Sequence, residues 1–255
     1  MTATMLSVLI VARNEEHNLP DCLESAKFAD EIVVVLDRST DGSAEIARRA
    51  GALVIDGSWP NEGERRNAGI AQCRGEWIIE LDADERISPE LKAELRRVLP
   101  GAEPGYYIIP FHNYIGGVWV RWGWGAYNGV AAKAALFSGG AKIWGDGEVH
   151  PGITLTGNKG RMTGHIEHFV DADIAAMFQR LNRYSSAAAR DAVLKGKRPP
   201  GLRILRQFFS RFIRSYWQRK GYREGWRGLA LGVFSALYPV LTYIKICELD
   251  SLRGR

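Results

Sequence analysis

The first hundred positions alternate between short, unbroken apolar runs and stretches with helical periodicity. The runs at 6–11, 31–36, 52–55 and 77–81 are continuous rather than alternating, the pattern of parallel strands covered on both faces. Helical stretches at 15–28, 42–50, 62–73 and 88–98 separate them. Asp41-Gly42-Ser43 and Ser88-Pro89-Glu90 carry helix-start chemistry, the second with proline in the first turn. A βαβ series of this kind predicts an α/β fold with an open, mostly parallel sheet. Such sheets bind ligands at the carboxyl ends of their strands, and the polar clusters of this half all follow strand ends.

From 101 to about 161 the texture turns to Gly, Trp and Tyr with short β-like runs, which predicts an antiparallel or mixed continuation carrying loops. Helical periodicity returns at 172–195, and Lys195-Gly-Lys-Arg-Pro-Pro-Gly201 breaks it. That break predicts a main domain over 1–195 and a helical tail over 196–255.

Charge sharpens the picture of the tail. The chain carries a formal +5, yet Lys195 to Arg227 holds eleven Lys or Arg against Glu224 alone, a local +10. In the same segment apolar residues at 202, 205, 208, 209, 212, 213, 216 and 217 form a helical stripe, with Arg203, Arg206, Arg211 and Arg214 on or flanking the other face. Aromatic anchors beside guanidinium groups are the pattern of an interfacial helix on an anionic membrane surface. Nucleic acid, the competing partner, has no use for so large an aromatic stripe. The run at 229–244 is nearly all apolar but has only sixteen residues with Pro239 inside, short of the twenty or so a spanning helix needs. It reads as dipping into or lying on the bilayer, with a buried packing helix as the alternative. Three widely spaced cysteines suggest neither disulfides nor zinc, and the apolar run near the N-terminus reads as a buried strand rather than a leader.

Candidate chemistry concentrates in three places. Glu80-Leu-Asp-Ala-Asp-Glu85 follows a strand, and Asp82 with Asp84 at i and i+2 there suits a hard divalent cation, Mg²⁺ or Mn²⁺, shared with diphosphate oxygens. Asp37 ends the second strand ahead of Arg38-Ser-Thr-Asp41-Gly42, placed to accept a hydrogen bond from a base or ribose. Trp144-Gly-Asp146-Gly-Glu148-Val-His150-Pro151 offers two carboxylates, Glu148 and Asp146, either of which could take a proton from an acceptor hydroxyl. Two motifs are ambiguous. His165 and His168 point to opposite faces if they lie on a strand, which argues against zinc and leaves His168 as a contact for acceptor or diphosphate. Trp122 and Trp124, in a glycine-rich stretch, suit sugar stacking and core packing equally.

Taken in order, SVLIVARNEEHNL, VVVLDRSTDG, ERRNAGI and IIELDADE resemble the nucleotide-binding half of family-2 inverting glycosyltransferases of the GT-A fold. GEVHPGI, GHIEHF and the basic and apolar tail are similar to the lipopolysaccharide-core glucosyltransferase branch. The resemblance implies that Ala12, Arg13, Asn14 and Glu15 border the nucleobase of a UDP-sugar, that Asp37 binds uracil or ribose, and that Arg66 lies beside base or diphosphate. It further implies that Asp82 holds ribose or metal-bound water and Asp84 the metal. His150 would lie near acceptor or diphosphate. The branch usually has an acid where this chain has Pro151, which leaves the base open between Glu148 and Asp146, and an Arg where it has Ala135, a role that is lost or moved to Lys133. The implied reaction is hexosyl transfer, glucose foremost, to a lipid-linked saccharide at the cytoplasmic face of a bacterial inner membrane, by a peripheral or monotopic enzyme. Transfer to polyprenyl phosphate, or a non-catalytic membrane scaffold of the same fold, are the rivals.

Overall fold

Strands β1 (Leu6–Ala12), β2 (Glu31–Asp37), β3 (Leu53–Gly57) and β4 (Trp77–Asp82) form the parallel part of a sheet in the order β3-β2-β1-β4 in the computed structural model, which describes all residues except 1–4, 126–128, 130, 147–151 and 254–255. The register aligns Ile10 with Val34 on one side and Leu81 on the other. Helices α1 (Leu19–Ala26), α2 (Ser43–Arg49) and α3 (Glu62–Ile70) make the crossovers. Every residue of β1 is buried and so are all but one of β2, as their unbroken apolar runs require. Parallel alignment brings Ala12, Asp37 and Asp82 to one edge, the carboxyl ends of their strands.

A short strand β5 (Glu85–Ile87) and helix α4 (Pro89–Val98) follow, with Ser88 Oγ accepting the Leu91 N–H at 3.1 Å as the expected cap. The sheet then turns antiparallel. Strand β6 (Gly105–Ile115), the short β7 (Val118–Val120) beside it, and β8 (Ala132–Ser138) extend it, with β8 against β4. Strands β9 (Lys142–Trp144) and β10 (Ile153–Leu155) make a separate ladder, β11 (Asn158–Arg161) pairs with β6, and β12 (Ile166–Asp171) pairs with β5, setting His168 opposite Glu85. The α/β class expected from the pattern is the one observed.

The chain divides into two compact units, Met1–Phe111 with Ala132–His168, and His112–Ala131 with Phe169–Arg255. The expected break near 195 therefore falls inside the second unit. Helix α5 (Ile174–Leu194) belongs with the tail because its apolar face, Met177 and Leu181, shares a core with Leu231 and Phe234.

In that second unit α6 (Gly201–Phe212) runs into a π-helical turn (Ile213–Gln218), and α7 (Gly225–Arg253) packs on both α5 and α6. A Cβ on Gly232 would come 3.2 Å from the Phe212 ring, so glycine sets how closely α6 approaches α7. Two expectations for this region change. The tail's apolar segment is not a sixteen-residue piece: α7 continues through Pro239 for 29 residues, and Gly221–Leu252 is long and apolar enough, by length and composition, to cross a membrane. A proline withdraws one N–H from the ladder, a loss that packing on both neighbours outweighs. The stripe of α6 also splits. Leu202, Leu205, Phe209, Ile213 and Trp217 are exposed, whereas Phe212 and Tyr216 turn inward and stack with ring centroids 5.4 Å apart.

Candidate functional site

The loops after β1 and β2 are tied to each other at the carboxyl edge. Asn14 adopts φ +55°, and its Oδ1 accepts the Thr40 N–H at 2.8 Å while its own N–H donates to Ser39 Oγ. Glu15 N–H donates to Ser43 Oγ, and Asp41 accepts from both Glu16 N–H and Ser43 N–H. Asp41 is thus a clamp between loops as well as a helix-start residue. Arg13 is exposed and Ala12 buried.

Asp37 is buried at the end of β2. Arg38, with φ +52°, folds back to donate from Nε and Nη2 to its two carboxylate oxygens at 2.9 and 2.8 Å, and the Trp59 N–H adds a third bond at 3.3 Å. Burial opposes ionisation of Asp37, but these donors, with Arg65 at 3.7 Å, hold its carboxyl below the usual range. Both carboxylate oxygens are thus already engaged, so a base N–H or ribose hydroxyl would have to bind at the remaining lone pair of Oδ2 or displace Arg38.

Arg66, on α3, points into the sheet rather than toward solvent. It donates to Glu80 Oε1 at 2.5 Å and to Asp82 Oδ1 and Glu62 Oε1 at 2.7 Å each. Lys142 donates to the other oxygen of Glu80 at 2.6 Å, and the Trp144 indole joins it at 3.2 Å. Glu80, Arg66 and Lys142 are all nearly inaccessible, and burial of such charges is tolerated only with complete pairing. Burial alone would lower the Arg66 pKa, yet Asp82 and Glu80 raise it well above its ordinary value. Asn67 makes a reciprocal pair with the main chain of Trp144, at 2.8 and 3.0 Å. Gly63 allows that approach, since a Cβ there would lie 1.8 Å from the Gly145 carbonyl oxygen.

Asp82, expected to meet ribose or metal, has both oxygens engaged: Oδ1 by Arg66 and Oδ2 by Lys133 at 3.1 Å. Burial works against its ionisation, and Arg66 and Lys133 hold it well below the usual carboxylate range. Lys133 also reaches Glu85, and so supplies a cation near the motif where Ala135 lacks one. Glu85 is fully buried and accepts the Asp82 N–H at 3.0 Å; burial pushes its carboxyl up to about 7 against the pull of Lys133.

Asp84 is partly exposed, to the same degree as Asp82, but is not engaged by Arg66 or Lys133. His168 Nε2 lies 3.5 Å from its Oδ2, and one donor atom from each of Asp84, Glu85 and His168 falls within 4.8 Å of the others. The carboxylate oxygens suit Mg²⁺ or Mn²⁺, and an imidazole nitrogen beside them favours the softer Mn²⁺ of the two. Because Glu85 is committed to Lys133 and the Asp82 N–H, Asp84 and His168 are the residues that would hold the ion. His165 contributes its carbonyl to Ser88 N–H and is not in this group.

Of the residues expected to act on the acceptor, Asp146 is exposed beyond β9, and Glu148 and His150 lie outside the described residues. Trp122 and Trp124 belong to the second unit: Lys220 and Arg223 lie over the Trp122 ring at 5.1 and 5.7 Å, and Trp124 packs on that unit's core while donating to the Val120 carbonyl at 2.6 Å. Sequence reasoning missed Glu80, Glu85 and Lys142. Their signal was faint: Glu80 is a single charge inside an apolar strand run, Glu85 is one acid among the charges of its motif, and Lys142 is a lone cation opening a short strand.

A lipopolysaccharide core biosynthesis glycosyltransferase, LpsC, of Rhizobium meliloti (strain 1021) is 30% identical over 264 residues, covering 98% of this chain and 94% of its own. An undecaprenyl-phosphate 4-deoxy-4-formamido-L-arabinose transferase of Pseudomonas fluorescens (strain Pf0-1) is 34% identical over 119 residues, 41% of this chain and 34% of its own. Among solved structures, glucosyl-3-phosphoglycerate synthase of Mycobacterium tuberculosis with Mn²⁺ and UDP matches 43% of this chain and 44% of its own at 22% identity and a TM-score of 0.37. Residues 7–145 match Glycosyl transferase family 2, the span that contains the ordered strands, Asp37, Arg66, Asp82 and Asp84, and the chain belongs to that glycosyltransferase family.

Proposed function

We propose that this glycosyltransferase moves a hexosyl group, glucosyl foremost, from a UDP-sugar onto a sugar of a lipid-linked acceptor of the lipopolysaccharide inner-core type, with inversion, at the cytoplasmic face of a bacterial inner membrane. The observation that carries the acceptor class is the near end-to-end similarity to a lipopolysaccharide core glycosyltransferase. In this reading Asp37 receives the uridine, and the linked loops at Asn14 and Glu15 border the base. Asp84 and His168 hold Mg²⁺ or Mn²⁺, whose charge would neutralise the departing diphosphate. Arg66 and Lys133 keep Asp82 ionised and fixed in direction, so that a donor meets a preorganised edge. Asp146 or Glu148 takes the proton of the attacking hydroxyl as the new bond forms opposite the leaving group. The exposed apolar residues of α6 and the length of α7 support membrane association.

The test is UDP release by the full chain from a panel of UDP-hexoses, with membrane extract as acceptor, with and without EDTA. Acceptor-dependent release that EDTA abolishes is expected; undiminished release in EDTA, or none with any donor, overturns the reading. The match to a polyprenyl-phosphate transferase favours one second reading. A phosphate oxygen is already ionised and needs no base, so undiminished turnover in an Asp146→Asn, Glu148→Gln double variant would select it.

A further inference from the structure

A cavity of about 470 Å³ lies within the second unit, between the start of α6 and the middle of α7. Its charged lining residues, Lys197, Arg198, Arg203 and Arg211, are all cationic. Lys197, Arg198 and Arg203 flank the first turn of α6, whose N-terminal N–H groups and dipole also favour an anion, and Arg211 continues the cationic wall toward the far end of the helix. Arg198 is steadied at the rim by Asp250 at 2.8 Å, and Arg211 lies 5.5 Å over the Tyr238 ring. The remaining wall is largely apolar, with Ile204, Pro239 and Ile246. A Cβ on Gly201 would be 3.9 Å from the Tyr243 hydroxyl, which sets that hydroxyl beside the helix start. Lys197 and Arg203 at a helix start, a hydroxyl beside them, and Arg198 and Arg211 further along the same apolar wall fit a ligand that is anionic at one end and hydrocarbon at the other.

A free phosphate would use the cations and waste the apolar wall. On the same helix, Leu202, Leu205, Phe209 and Ile213 form an exposed apolar stripe, centred opposite the cavity-lining Arg203, Gln207 and Arg211 at about 100° per residue. One face of α6 thus suits hydrocarbon and the other a headgroup. We infer that this cavity binds the phosphate of an anionic membrane phospholipid, with the lipid's glycerol and first chain carbons against Ile204, Pro239 and Ile246. The inference deepens the membrane-facing reading of the second unit and rests on it. Generic electrostatic attraction would draw on every arginine of the segment alike; a built site would not.

The experiment is co-sedimentation of the full chain with phosphatidylcholine vesicles, alone or mixed with phosphatidylglycerol. Arg203→Glu, at the cavity, is expected to weaken binding to the mixed vesicles by at least about tenfold. Arg214→Glu, the same charge change on an exposed residue outside the cavity and off the apolar stripe, should cost clearly less. Ile246→Trp, which fills the cavity and leaves every charge in place, should reproduce the Arg203→Glu loss, with circular dichroism confirming the helices. Equal losses for the two arginine variants, or full binding by a folded Ile246→Trp, overturns the site. Inorganic phosphate that binds the wild-type cavity when the mixed vesicles show no advantage over phosphatidylcholine alone overturns the lipid in favour of a free anion. Wild-type protein that sediments with neither vesicle refutes the membrane-facing reading itself, an outcome distinct from failure of the cavity.

Discussion

His168 Nε2 stands 3.5 Å from Asp84 Oδ2 because the antiparallel pairing of β5 with β12 sets His168 opposite Glu85, one residue beyond Asp84. The partner that the acidic motif acquires on folding is therefore a histidine from the far side of the chain, while the motif's other aspartate is taken up by Arg66 and Lys133.

Asp84→Ala should abolish transfer, by about a thousandfold or more, the scale of several kcal/mol of charge stabilisation at the leaving group. UDP binding in the variant should lose its dependence on Mn²⁺ while circular dichroism stays that of wild type. Calorimetric titration of UDP with and without Mn²⁺ checks this; a variant that still responds to the metal removes Asp84 from the site.

Asp37→Ala should weaken UDP binding by about 1–3 kcal/mol, the cost of deleting a buried hydrogen-bond partner. It also leaves Arg38 without its carboxylate, so the variant's affinity is best read beside Arg38→Ala. Unchanged UDP affinity in Asp37→Ala would show that this carboxylate serves only Arg38 and the Trp59 N–H.

Arg66→Ala separates a donor contact from a structural cation. Removing it leaves Glu80 and Asp82 short of a buried partner, and breaking a buried pair typically costs about 3–5 kcal/mol. Urea unfolding should show a loss of that order. Full stability with weakened donor binding would return Arg66 to the role of a solvent-facing diphosphate contact.

At the amino edge of the parallel sheet, Glu31 accepts from Ser7 Oγ at 2.5 Å, from Arg74 N–H at 2.8 Å and from Arg74 Nε at 2.7 Å. Burial opposes its ionisation, but the Arg74 N–H, the Ser7 hydroxyl and the guanidinium together lower its pKa in the fold. A carboxyl depressed on folding stabilises above its unfolded pKa, about 4.3, and that contribution is lost as pH falls through the folded value. Glu31→Gln should therefore destabilise by about 1–3 kcal/mol near neutrality and progressively less below about pH 4. Urea midpoints for both proteins across that range test the sign; a constant difference would mean that the charge on Glu31 does not matter.

What the sequence by itself determined was local. Unbroken apolar runs dictate parallel strands buried on both faces, and Ser88-Pro89 dictates where α4 starts. Because the apolar runs end there, Asp37 and Asp82 could be placed at the carboxyl edge of the sheet from the sequence. Hydrophobic periodicity also marked α5 and α6, but periodicity states only that a face is apolar. It does not say what covers that face, so α5 joined the tail, and the stripe of α6 divided into inward Phe212 and Tyr216 and outward Phe209 and Trp217. Tertiary structure alone decided which charges meet. Asp84 with His168, Lys133 with Asp82, and Arg66 with Glu80 depend on strand register and on α3 lying over the sheet; no short-range spacing encodes those pairings, because the partners are brought together only when the apolar faces between them are buried.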